Sequence, residues 1–177
     1  MTGGARTISA VAVVSVGLAL CLMMVSGAQS QAEERVLGFG GYGPARMGDT
    51  PAEVSRALGE PVQCSYLAGS CVCATLGEYP LAIVFVFGLD RHPGLDVVFT
   101  SSRQVVAARG LRVGDSVRRL RRLFPHVHRS GHAGYPGYTR YIVGHHRLGL
   151  LADVHRGHIA GFVVGRRHYL DYEEFCA

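Results

Sequence analysis

Eight of the nine histidines fall between His126 and His168. His126-x-His128 would put two imidazoles on one face of an extended chain, and His132, His145-His146 and His155-x-x-His158 follow. A metal site needs converging ligands with their own hydrogen-bonded partners. No carboxylate accompanies these histidines at a recognised spacing, and there is no HExxH. They are expected to be loop residues at the surface that hold no metal, gaining charge as pH falls through their reference pKa of about 6.5. Gly38-Phe39-Gly40-Gly41-Tyr42-Gly43 has the letters of a dinucleotide-binding loop, but Pro44 follows at once and no βαβ pattern surrounds it. It reads as a flexible lead-in. There is no GxSxG elbow, Asp90, Asp96, Asp115 and Asp153 are scattered, and Asp49 and Asp115 are better explained as helix-start residues than as a catalytic pair. Lysine is absent, which removes Schiff-base, P-loop and Ser-Lys chemistry. No catalytic residue and no cofactor are expected, and the protein is not expected to be an enzyme.

The basic charge is all arginine, 18 residues for a formal net charge of +5. Arg118, Arg119, Arg121 and Arg122 interleave with Val117, Leu120 and Leu123, so at the helical period guanidiniums take one face and apolar groups the other. Arginine in a first turn opposes the helix dipole, by a few tenths of a kcal/mol each. The row reads either as a solvated face or as an anion-binding face for an acidic protein, a wall polymer or lipid headgroups, with Arg112, Arg166 and Arg167 adding to the field. Nucleic acid is not expected, for want of an aromatic stacking platform. Tyr135-Pro136-Gly137-Tyr138-Thr139-Arg140-Tyr141 supplies partner-contact candidates in Tyr135, Tyr138 and Arg140, because tyrosine and arginine dominate interface hot spots. Tyr141 reads equally as a contact or a core residue.

Compartment decides how the cysteines behave. Ile8 to Val25 is an uncharged run of 18 apolar or small residues after Arg6, followed by Ser26-Gly27-Ala28-Gln29-Ser30. That is the pattern of a secretory signal, cleaved after residue 28 or 30; the rival is an uncleaved anchor, the one route by which a membrane would enter. Secreted or envelope-located protein is the expectation. Removal of the signal leaves Cys64, Cys71, Cys73 and Cys176, read as two disulfides of undetermined pairing. A two-residue turn at Ala68-Gly69 would set Cys64 opposite Cys73 and leave Cys71 for Cys176, a long closure contributing roughly 4 kcal/mol. A turn one residue different shifts that register.

Thr50-Pro51-Ala52-Glu53 opens a helix as a capping box with proline at the first position, and Gly59 and Pro61 end it. Val54, Ala57 and Leu58 make its inward stripe. Gly48-Asp49-Thr50 returns as Gly114-Asp115-Ser116, with Val54 matched by Leu120 and Leu58 by Phe124. Helices this short need a sheet to lie on. Strands are expected at Val62–Leu67, Cys71–Leu76, Leu81–Phe87, Leu95–Thr100 and Gln104–Ala108 after the first helix. Tyr138–Val143, Arg147–Val154 and His158–Val164 follow the second. The order predicts an α+β fold of two tandem repeats, each a short helix packed on a small antiparallel sheet. Its divisions are 1–30 signal, 31–40 flexible lead-in, 41–110 first repeat and 111–177 second repeat.

"GDTPAEVSRALGEP" resembles the Gly-x-Thr-x-x-x-Val-x-x-x-Leu-Gly-x-Pro signature of the beta-lactamase inhibitory protein-like tandem-repeat fold and of the small outer-membrane assembly lipoproteins similar to it. "LRVGDSVRRLRRLFP" resembles the second-repeat form, with Arg118 and Arg119 where an acidic or small residue is usual. The resemblance implies an exported protein that binds rather than catalyses, inhibitor-like or envelope-associated, and carries over no functional residue. The alternative is a structural envelope protein held to anionic polymer or membrane by its arginines.

Overall fold

Thr50 starts the first helix in the way its sequence dictates. Its Oγ1 accepts from the Glu53 N–H at 3.4 Å, while its own N–H and hydroxyl donate to Glu53 Oε2 at 2.8 and 2.7 Å. Gly59 closes the helix with φ +72°, and Val54 and Leu58 turn inward; Ala57, expected with them, is exposed. The computed structural model describes residues 35–67, 70–77, 82–89, 92–131, 136–145 and 147–170. The expected signal segment, the Ala68-Gly69 turn, Tyr135 and Cys176 lie outside them. In chain order come β1 (Val36–Gly38), β2 (Gly41–Tyr42), β3 (Ala45–Arg46), α1 (Pro51–Leu58), β4 (Gln63–Leu67), β5 (Ser70–Leu76), β6 (Ile83–Phe87), β7 (Leu95–Thr100) and β8 (Val106–Ala107). After a 3-10 turn at Ala108–Gly110 follow α2 (Val117–Leu123), β9 (His128–Gly131), β10 (Tyr138–His145), β11 (Leu148–His155) and β12 (His158–Arg166), then a second 3-10 turn, Arg167–Tyr169.

The expected fold class does not hold. The protein is mostly β, dominated by one eight-stranded antiparallel sheet in the order β4-β5-β6-β7-β12-β11-β10-β9, beside a four-stranded sheet β3-β2-β1-β8. Two small sheets, each under its own helix, are not what forms. The reason lies in β7 and β12. Leu95, Val97, Val98, Phe162 and Val164 are buried, and they alternate onto both faces of the sheet. As edges of separate sheets these strands would leave apolar surface and ladder groups in water; paired with each other, from Phe162↔Thr100 to Gly165↔Val97, they become the centre. The described part of the segment read as a lead-in carries a strand: β1 pairs antiparallel with β2 and parallel with β8, and Leu37 is fully buried.

The two helix approaches are nevertheless built alike. Gly48 and Gly114 both have φ +96°, a backbone that side chains rarely adopt. Asp49 Oδ2 accepts from the Arg46 N–H at 2.7 Å, and Asp115 Oδ2 from the Arg112 N–H at 2.8 Å. Gly48 and Asp49 exchange backbone bonds with Leu95 at 2.8 and 2.7 Å; Gly114 and Asp115 do so with Ile159, both at 2.8 Å.

Both faces of the large sheet are covered. One carries the main core, where Val54, Leu58, Leu120 and Phe124 from the helices meet Phe85, Val98, Leu150 and Phe162. On the other, Cys73, Val86 and Val97 pack with Tyr169, and Ile142 and Leu151 with Leu170. Gly144, Gly149 and Gly165 stand in register across β10, β11 and β12. A Cβ at Gly149 would lie 2.7 Å from Leu170 Cδ1, and one at Gly165 2.3 Å from the Asp96 carbonyl oxygen. The glycine row thus lets Leu170 and a neighbouring strand approach the backbone. Cys64 and Cys73 are both disulfide-bonded, but the register sets Cys64 against Ala74 and Ser65 against Cys73. They lie on opposite faces, in different clusters, which is not the geometry of a bridge between them. Among the described strands, β4 and β9 are the ends of the sheet; β9 exposes His128, Arg129, Ser130 and Gly131, and β4 exposes Tyr66 at 69 %.

Candidate functional site

α2 is pinned from below and left cationic above. Leu120 is fully buried, Phe124 nearly so, and the Phe124 ring meets Phe39 edge-on at 6.3 Å. Arg109 lies 4.8 Å over the Phe124 ring and donates to the Leu123 carbonyl, placing a cation at the helix C-terminus where the dipole favours it.

The four expected arginines are all exposed on α2. Arg119 Nε stands 3.4 Å from Asp115 Oδ2, and its Nη2 donates to the Gly110 carbonyl at 3.1 Å. Arg121 sits 5.5 Å from the Tyr141 ring centroid and donates to the tyrosine hydroxyl at 3.4 Å. Tyr141 itself is buried, so it serves as a platform under the arginine rather than as a free contact. Arg118 and Arg122 have no hydrogen bond or ion pair among the described residues and extend into solvent. Among the described residues one carboxylate, Asp115, answers this row. α1 shows the contrast: Glu53 occupies the position that Arg119 takes in α2, where Ser116 Oγ accepts from the Arg119 N–H at 3.2 Å. α2 therefore lacks both the reciprocal half of the capping box and an acidic first turn.

The tyrosine segment divides. Tyr138 stacks on His155 with ring centroids 4.7 Å apart and planes 14° from parallel. Arg140, a contact candidate by sequence, is 8 % exposed, with Nε 3.3 Å from Oδ1 of Asp153, its direct cross-strand neighbour. It is a sheet residue. Tyr135 lies outside the described residues. The structure thus gathers Arg118, Arg119, Arg121 and Arg122 on one surface and removes Arg140 from it. Sequence reading missed Arg109, whose role depends on a non-local stack with Phe124; its left-handed φ of 59° has no glycine to announce it.

Of the histidines, His126, His128 and His158 are exposed, and His168 packs against the Tyr169 ring at 4.0 Å. Among the described residues no three His, Cys, Asp or Glu side chains gather to hold a metal ion. Among the same residues no helix is long and apolar enough to cross a membrane. Burial raises the Tyr42 phenol above its usual range, against the lowering effect of nearby Arg35. No protein-family model matches the sequence, and comparison with curated proteins and with solved structures gave no match.

Proposed function

We propose that this chain is an exported, non-catalytic binding module that uses the arginine face of α2 to hold an acidic surface of another protein. The observation that carries this is the row Arg118, Arg119, Arg121 and Arg122, exposed on two turns of one helix against a single described carboxylate, Asp115. Two of these cations stand in the first turn, where α1 keeps an acid, so the helix forgoes several tenths of a kcal/mol of dipole and capping stability. A face that is locally unfavourable for folding and rich in bidentate donors suits recognition of carboxylates. The signal-like N-terminus supports the export of such a binder.

The test is surface-based binding of the mature chain to immobilised poly-L-glutamate at several salt concentrations, beside vesicles of anionic lipid. The reading expects salt-sensitive binding to the polypeptide that falls at least tenfold in R118Q/R119Q/R121Q/R122Q. Equal binding by that variant refutes it. Binding to vesicles alone points instead to the envelope-attachment alternative.

A further inference from the structure

On the other side of the sheet lies a groove of about 960 Å³, at the β10–β11 hairpin end. Ile142 contributes to it and packs with Leu151 and Leu170, whereas its neighbour Tyr141 belongs to the core beneath α2. The groove and the α2 face are therefore separate surfaces. Its lining is two-toned: Ile142 and Leu148 are apolar, while Arg147, Arg166, Arg167 and His168 bring three guanidiniums and an imidazole. No carboxylate lines it among the described residues.

The Arg166 and Arg167 guanidiniums are held in place. Arg166 Nε stands 3.0 Å from Oδ1 of Asp96, a carboxylate only 1 % exposed whose other oxygen accepts from the Leu89 N–H at 2.8 Å. Arg167 donates from Nη1 to the Gly144 carbonyl at 3.3 Å, and its backbone N–H bonds the Arg147 carbonyl at 2.8 Å. That last bond ties the hairpin loop to the 3-10 turn, so Arg147 and Arg167 flank one opening. Asp96 is already engaged with Arg166 and the β6–β7 loop, and among the described residues no carboxylate is paired with the Arg147 or Arg167 guanidinium. A fork already held, as that of Arg167 is by the Gly144 carbonyl, loses little side-chain entropy on taking a planar oxyanion, and an apolar floor beside it adds burial for a hydrocarbon group. The volume falls in the range of small-molecule sites.

We infer that this groove binds a small amphiphilic oxyanion, a carboxylate or phosphate head carrying an alkyl or aryl group. The head lies between Arg147 and Arg167, and the tail lies on Ile142 and Leu148. Titration calorimetry on the mature chain, with decanoate and decyl phosphate kept below their micelle-forming concentrations, tests it. Decanol and inorganic phosphate are the single-property controls. R147Q/R167Q should weaken both amphiphiles at least tenfold, and each control should bind at least tenfold more weakly than its parent. The tighter of the two amphiphiles identifies the head group. Amide chemical shifts in the unmodified chain should move at Gly144, Leu148 and Arg166 to His168. Unchanged affinity in R147Q/R167Q overturns the inference, as does decanol binding like decanoate, or shift changes confined to α2. R118Q/R122Q, which weakens the α2 face, should leave these titrations unaltered, so the two readings fail separately.

Discussion

Gly165→Ala tests the joining of β7 and β12, on which the continuous sheet depends. The added Cβ would lie 2.3 Å from the Asp96 carbonyl oxygen and 3.0 Å from Val97 Cα, both backbone atoms that cannot rotate away. Restoring an ordinary 3.4 Å contact to that oxygen requires the strands to part by 3.4 − 2.3 = 1.1 Å at this point. Such a shift breaks or stretches about two ladder hydrogen bonds, worth roughly 1 kcal/mol each, and adds overpacking of about 1–3 kcal/mol. It also displaces Asp96 from Arg166. The sum is roughly 3–5 kcal/mol. Gly161→Ala is the control on the same strand: its Cβ meets only the Thr100 carbonyl oxygen, at 3.3 Å. The lower unfolded-state entropy of alanine, about 0.4–1 kcal/mol, should nearly offset that crowding. Urea unfolding followed by circular dichroism, with a slope of about 2 kcal/mol per molar, should lower the midpoint by about 1.5–2.5 M for Gly165→Ala. For Gly161→Ala the midpoint should move by less than about 0.5 M. Equal midpoints for the two variants would refute the close backbone approach at the seam.

Two other expectations concern the helix starts. Asp49→Ala and Asp115→Ala each remove one hydrogen bond from a backbone N–H to the carboxylate, and Asp115→Ala also removes an exposed ion pair with Arg119 that contributes little, so each should destabilise by about 1–2 kcal/mol, equal within roughly 0.5 kcal/mol, as read by thermal unfolding. The Glu53 carboxylate is held below the usual carboxylate range by hydrogen bonds from the Thr50 backbone N–H and hydroxyl. Its folded pKa is thus below the unfolded one, and the stability it contributes is present above the unfolded value of about 4.3 and lost as pH falls through the folded value. Glu53→Gln should therefore lower the melting temperature at neutral pH, and the gap from the unsubstituted chain should close in acid; a gap independent of pH would contradict the assignment.

What could be read from the sequence was whatever is local. Thr50, Pro51, Glu53 and Gly59 specify α1 through contacts within ten residues, and the spacing of Arg118 to Arg122 specifies one face without reference to anything distant. The strand runs were likewise legible from apolar composition. The partner of β7 was not, because Phe99 and Val163 are neighbours through a ladder that joins residues more than sixty positions apart, and no local pattern encodes it. β1 was hidden by glycine: Leu37 is its one large buried residue, too little to mark a strand amid Gly38, Gly40 and Gly41. Arg140 looked like a contact residue because its burial depends on Asp153, which reaches it only through the β10–β11 register. The groove escaped for the same reason, its arginines coming from a hairpin loop and a terminal turn brought together by the Arg167-to-Arg147 backbone bond.

The unlike ends of the large sheet bear on self-association. A fibre of stacked sheets needs two compatible edges per molecule, so that each copy can template the next. The β9 end presents Arg129 and a histidine, which repel the same end of another molecule and resist desolvation, while the β4 end is uncharged in Gln63, Ser65 and Tyr66. Among the described strands of the large sheet, β4 is therefore the end better suited to pairing between copies, and a β4-to-β4 meeting is two-fold and closes on itself instead of propagating.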